Sequence, residues 1–481
     1  MIDAVIVVGY LCAMLVIGWN SRSQSPESYW VADRQYGTGR ISVSLVATIF
    51  GASSTMGIIG LGYLRGFTAA WWSLVGAVAL LVFGLTLAGR IRKLGVYTLP
   101  DILKQAYGNM VAVPAAILIV VAWSGILAAQ MIAGATLLSG VLPLEYTTAL
   151  MMVTAVFVVY TFWGGQLSVV KTDTWQLVLF LGALLASFAF VVLATKSSIG
   201  SLFGSAPRGH LSFPVSDTFG WYDVLVFYPL IIGLPYLVGP DIYSRVLCAR
   251  DDSVARRSAL ISAVAIIPIS LVLAALGVLL RELYPGIAQE AALPAAINQL
   301  IPAGLAGLIA TGFLAAIMSS ADTTLVSAST ILSLNVIAAG TEMARARQLV
   351  TTRLAVLGVG LGAGVIAAFQ QGIISSLLLA YTIFVGGVVI PTLGSFYRSQ
   401  LRITPAGAMS AVIVGGSVAI LGRIDDGAVL RVVLGDTGDV LLGRLLGRGY
   451  PSILPIILSL IAMLTVSWTT GKSRLQPEQD R

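Results

Sequence analysis

One acid and four hydroxyls interrupt the stretch Ala315-Ala316-Ile317-Met318-Ser319-Ser320-Ala321-Asp322-Thr323-Thr324, inside an otherwise apolar segment running from Leu300 to Ala339. Roughly 20 apolar residues suffice to cross a bilayer, so the segment is long enough to span one. A carboxylate at that depth is costly unless something pairs with it. An intramembrane Asp surrounded by hydroxyl oxygens therefore reads first as part of an ion path, and the chain as a transporter.

The elements that must position these groups are apolar helices. Of 481 residues, 57% are hydrophobic and 10% are charged, where a soluble domain carries about 25% charged residues. Apolar runs bounded by charge, Pro or Gly give about thirteen spans: 2–19, 41–63, 67–89, 111–139, 143–163, 173–195, 222–243, 257–280, 303–336, 352–370, 373–396, 404–422 and 451–469. The +7 net charge must be read by position. With the N-terminus outside and the C-terminus cytoplasmic, the inner loops hold Arg22, Arg34, Arg40, Arg90, Arg92, Lys93, Lys104, Lys171, Arg245, Arg250, Arg256 and Arg257. They also hold Arg345, Arg347, Arg353, Arg398, Arg402, Lys472, Arg474 and Arg481, making 20 of the 28 basic residues. An odd number of spans in the cell (inner) membrane fits that bias. The first segment lacks a basic leader, so no cleavable signal peptide is expected. Loops near 196–220, 281–302 and 423–450 are expected to be the longest. Cys12 and Cys248 offer no disulfide framework.

Two spans carry helix breakers. In the second, Gly51-Ala52-Ser53-Ser54-Thr55-Met56-Gly57 interrupts the apolar run; in the seventh, Gly233-Leu234-Pro235 and Gly239-Pro240-Asp241 do so. Each Pro removes a helix donor and clashes with the preceding turn. Unwound backbone at membrane depth survives only where it is buried in protein or lines a cavity, and its carbonyls can then ligate a cation. The plainer alternative is a pair of ordinary kinks. Breaks five spans apart fit a five-helix inverted repeat, spans 2–6 and 7–11.

Taken in order, these residues resemble the sodium:solute symporter family. The resemblance runs through Ser28-Tyr29-Trp30-Val31-Ala32-Asp33-Arg34, the segment from Ala47 to Tyr63, Tyr97-Thr98-Leu99-Pro100-Asp101, Trp163-Gly164-Gly165 and Thr172-Asp173-Thr174-Trp175-Gln176. It continues through Pro240-Asp241 to Arg245 and the Ser-Ser-Ala-Asp motif of span 9. It implies an all-α integral membrane protein with a LeuT-type five-plus-five inverted repeat, the first helix of each repeat broken. The division becomes 1–40 (extra N-terminal helix and loop), 41–220 (first repeat), 221–422 (second repeat) and 423–481 (extra C-terminal helix and tail).

The same resemblance implies a sodium ion between spans 2 and 9, held by the carbonyls of Ala47, Phe50 and Ala316 and the hydroxyls of Ser319 and Ser320. Positions 316, 319 and 320 do share a helix face. The alternative for both serines is helix packing, where small hydroxyl residues are common. Some relatives hold a second cation one turn on; the matching positions are Ser319, Asp322, Thr323 and Asp173. Two nearby carboxylates would hold a cation tightly or share a proton. Otherwise Asp173 only caps span 6, and Asp322 bonds to neighbouring helices.

For the solute, the second span offers Ser53, Ser54 and Thr55 where sugar-carrying relatives place Glu and Gln, and Ile49 where proline-carrying relatives place Asp. Exposed half-helix N-termini favour anionic groups, so a carboxylate or an amino acid is expected. Tyr63, Trp123, Gln130, Tyr236 and Tyr381 are further candidates for the cavity wall, with packing or interfacial belts as their alternative roles. An enzyme is not expected: the one histidine, His210, falls in a loop, and no nucleophile with its base stands out. A channel would need a continuous polar stripe, and a sensor a signalling domain. The expected function is sodium-coupled import of a small organic solute by alternating access, with Na+ as the coupling ion. A proton-coupled symporter using Asp173 and Asp322 is the rival. The expected partners are the solute, sodium and the lipid bilayer, with no nucleic acid, in a monomer or weak homo-oligomer.

Overall fold

The computed structural model describes residues 2–23, 25–195, 207, 209–341, 344–370, 372–422, 428–447 and 449–472. Among them the chain is helical, with no strand beyond two isolated bridges, Tyr36 with Ala249 and Ser216 with Phe219. Lipid cannot satisfy backbone polar groups, and helices satisfy their own.

Ten helices among the described residues are long and apolar enough to cross a membrane, and Thr38–Ile49 and Pro405–Leu421 are shorter apolar helices. The expected spans 143–163 and 173–195 fall in Tyr146–Ala194, a run of two helices joined at a kink. It bends at Gly165, whose φ of 56° and ψ of −156° leave the helical region. The ring of Tyr29 packs where a Cβ at that position would stand, and its hydroxyl donates to the Thr161 carbonyl at 2.8 Å.

The segment that opened the sequence reading becomes the helix Leu305–Ile331 at the centre of the bundle, buried from Ile309 to Ile331. It packs against Tyr146–Ala194 and Asn109–Val141. Asp252–Leu283 packs against the second span, and Gly62 and Gly277 bring the backbones together there. A Cβ at Gly277 would lie 2.9 Å from both the Gly62 Cα and the Tyr63 nitrogen. Such small-residue crossings replace the hydrophobic drive that lipid cannot supply.

Two expectations change. The region 423–450, expected as loop, contains the helix Ala428–Leu446, kinked at Gly435. Region 281–302 likewise contains the helix Ala292–Leu300. Arg474 and Arg481, counted above on the basic side, lie outside the described residues.

Candidate functional site

The second span breaks where its sequence predicts. Helix Thr38–Ile49 ends as Phe50 turns out of it at φ −84° and ψ 54°. A helix end leaves its last carbonyls without i+4 donors. The Val46 carbonyl keeps its i+4 donor, the Phe50 N–H. The Thr48 carbonyl accepts from Ser320 Oγ, and the Gly51 carbonyl accepts from Thr55 Oγ1 at 2.7 Å. The Ala52 N–H is caught by Gln130 Oε1 at 2.7 Å. A Cβ at Gly51 would overlap Ser320 Oγ and Gln130 Nε2, so glycine is required for this approach. The chain resumes as a wide π-turn at Ser53–Gly57. The seventh span breaks only at Gly239 (φ −61°, ψ 137°), while Gly233 stays helical at φ −66° and ψ −43°.

Helix periodicity sorts the polar residues of Leu305–Ile331 into three stripes. Ser320 and Thr324 line a central cavity, together with Ser53, Ser54, Trp123, Gln130, Tyr236, Asp241 and Tyr381. The space among these side chains, counting what is open to solvent, is about 460 Å³, of which about 30 Å³ admits the centre of a water molecule. That is room for about two waters, so an organic solute enters only if the helices move.

Ser319 and Thr323 face a second cluster. Ser319 Oγ donates to Asp173 Oδ1 at 2.6 Å, and Ser44 Oγ donates to Asp173 Oδ2. Arg245 Nη2 lies 3.3 Å from Asp173 Oδ2, both side chains fully buried. The same guanidinium donates through Nε to Thr48 Oγ1 at 2.9 Å and through Nη2 to Thr323 Oγ1. Asp322 faces a third way. Its Oδ1 accepts from Thr161 Oγ1 at 3.0 Å, and its Oδ2 has no partner among the described residues. Met318, four residues back, accepts from the Tyr10 hydroxyl.

Of the expected sodium ligands, Ser320 reaches the second span at the Thr48 carbonyl, while Ser319 is turned to Asp173. The structure joins Asp173 and Thr323 through the Arg245 guanidinium, while Asp322 bonds to Thr161. It also corrects the placement of Arg245, expected in a loop, because the helix that restarts after Gly239 turns this side chain inward to a buried acid. Tyr63 does not line the cavity. Its hydroxyl donates to the Tyr284 carbonyl at 2.7 Å and accepts from the Ile287 N–H at 3.1 Å. Thr55 is turned back on its own helix. Ser44, Thr48, Thr161 and Asp241 were missed as site residues. The i, i+4 spacing of Ser44 and Thr48, on the face towards Asp173, was the available signal.

The sodium:solute symporter family model matches residues 29–415. The sodium/pantothenate symporter of Haemophilus influenzae is 26% identical over 325 residues, covering 63% of this chain and 64% of that protein. The sodium/proline symporter of the same organism is 29% identical over 195 residues, covering 38% of this chain and 39% of that protein. The chain therefore matches less than two thirds of the length of either. A Na+-coupled sialic acid symporter, solved in a substrate-bound outward-open state, shares the fold at a TM-score of 0.80 and 17% identity, covering 98% of both chains. The fold is of the LeuT type, its proteins are transporters and not enzymes, and the broken span set against a hydroxyl-bearing helix lies within the matched residues. This chain is a member of the sodium:solute symporter family.

Proposed function

We propose that this protein is a sodium-coupled symporter that imports a small organic solute across the cytoplasmic membrane by alternating access. The observation that carries the reading is the meeting of the broken second span with Ser320 of the central helix, directly beside a polar cavity. Sodium sits at the crossing, on the carbonyls of Ala47, Phe50 and Ala316 and the hydroxyls of Ser319 and Ser320. Neutral oxygens suit a hard cation that must also leave again. The ion bridges spans 2 and 9 and favours the outward-open arrangement; solute then enters the cavity, and the bundle rocks to open inward.

Thirteen crossings with the N-terminus outside agree with the basic loops, and the inverted repeats are read as 41–220 and 221–422. On the inner side the path is closed by Trp30 packed edge-on to Tyr97 at 5.2 Å. A chain of bonds also closes it, from Thr98 to Asn335 and from Asn335 to Asp101.

A ligand that binds only the folded state raises its stability. The detergent-purified protein is expected to melt higher in sodium chloride than in potassium or choline chloride of equal strength, at pH 6 and pH 8 alike. No sodium-specific shift at either pH would remove the reading.

The buried, unpartnered Asp322 Oδ2 favours one second reading, a proton carried on that carboxyl. Asp173 no longer belongs to it, being paired with Arg245. Under sodium coupling, the pH dependence of uptake is expected to be the same in Asp322→Asn and the parent protein. Sodium-free uptake driven by an inward proton gradient, and lost in Asp322→Asn, would put the proton in sodium's place.

A further inference from the structure

The central cavity carries a charge that the helix breaks alone did not suggest. Of the described residues that line it, Thr48, Ser53, Ser54, Gln130, Ser320 and Thr324 are polar and neutral, and Asp241 is the one that is charged. No lysine or arginine lines the space, and no ion pair among the described residues reaches Asp241. Arg245, one turn along the same helix, bonds to Asp173, Thr48 and Thr323, and its Nη1 has no partner among the described residues.

The position of Asp241 explains why it stands exposed to the cavity. Gly239 leaves the helix, Pro240 starts the next one, and Asp241 falls in its first turn. An anion at a helix N-terminus is favoured by the unsatisfied donors and the macrodipole. The chain therefore supplies its own anion to the half-helix end that a solute carboxylate was expected to occupy. A net-negative solute would meet a like charge. Around the acid stand three aromatic residues, Trp123, Tyr236 and Tyr381, a wall that favours cations over anions. Trp123 is fully buried and its indole N–H has no acceptor among the described residues. That leaves one donor over for an acceptor atom of the solute.

We propose that Asp241 is the specificity-determining residue of this cavity and that the solute it selects is a small molecule carrying an ammonium group. The ammonium pairs with the Asp241 carboxylate and lies against the aromatic wall, and an oxygen elsewhere on the solute accepts from Trp123. The proposal rests on the symporter reading and on this cavity being its solute site.

The test uses the purified full-length protein in sodium buffer, melted with three sets of probes. L-proline, L-alanine, ethanolamine and choline carry an ammonium; lactate, pyruvate and pantothenate are anions; glucose and myo-inositol are neutral polyols. A shift with one or more ammonium probes and with none of the others is expected. In Asp241→Asn that probe should bind roughly tenfold more weakly or worse, the loss of one charge-assisted contact, with Asp241→Glu recovering part of the affinity. The sodium shift is expected to survive in Asp241→Asn, which shows that the variant folds. Stabilisation by an anion or a polyol, an ammonium probe bound equally by Asp241→Asn, or no ammonium probe bound at all would each overturn the assignment. If the parent protein shows no sodium shift, the symporter reading itself has failed; a wrong solute class with the sodium shift intact sinks only the role given to Asp241.

Discussion

Arg245→Met is expected to cost about 3–5 kcal/mol of stability, the cost of leaving a buried charge without its partner, and to stop transport. Arg245 is fully buried and ion-paired with Asp173, itself fully buried. Methionine has the length to fill the space but no charge, so Asp173 would keep only the hydroxyls of Ser44 and Ser319. The double variant Arg245→Met/Asp173→Asn removes both charges and is expected to recover most of the lost stability, because exchanging a whole buried pair is often close to neutral. Transport should not recover with it. Arg245 also donates to Thr48 on the second span and to Thr323 on the central helix, so it ties the second half of the seventh span to the two spans that frame the proposed sodium crossing. Thermal melts of the two single variants and the double give the coupling directly. If Arg245→Met melts within about 0.5 kcal/mol of the parent, as ordinary surface substitutions do, the pair does not hold the structure.

The second large effect is expected at Ser319 and Ser320, and the two alanine variants should differ. Ser320→Ala removes one proposed sodium ligand that otherwise bonds only to the Thr48 carbonyl across the break. Bonds to charged groups contribute about 1.5–3 kcal/mol, so the sodium concentration for half-maximal stabilisation should rise roughly tenfold to a hundredfold. The sodium-free protein should melt only slightly below the parent, because the Thr48 carbonyl loses a neutral donor at the edge of a cavity that water can enter. Ser319→Ala removes a ligand and also a donor to Asp173 Oδ1. It should weaken sodium similarly and, in addition, lower the sodium-free melt by about 1–3 kcal/mol, the cost of an unmade buried bond. Titrations of sodium against melting temperature separate the two. Unchanged sodium dependence in both variants would move the ion away from this crossing.

What could be read from the residues alone was what local chemistry decides. The breaks at Gly51 and Gly239 show in the sequence because Gly and Pro act on their own backbone. Ser319, Ser320 and Asp322 stand out because a polar residue in an apolar run is anomalous wherever its helix packs. The partners of those residues were not legible, because they are set by tertiary approach. Asp173 finds Ser44 across 129 positions and Ser319 across 146, and no pattern along the chain fixes the rotation of one helix against another. Arg245 was placed in a loop because a basic residue near a span end is usually solvated. Here Gly239 ends the helix early, and the new helix starts deep enough to keep its arginine inside. Tyr63 failed for a simpler reason. It lies nine residues beyond Ser54, about 13 Å along a helix, which carries it past the cavity to the loop at Tyr284 and Ile287.

The Arg245–Asp173 pair has an electrical meaning as well as a mechanical one. An acid and a base locked together at 3.3 Å move through the field as a dipole with no net charge. In the proposed cycle, translation of this cluster moves no net charge, so the membrane voltage, about 2.3 kcal/mol per elementary charge per 100 mV, acts on the proposed coupling ion rather than on the Asp173 cluster.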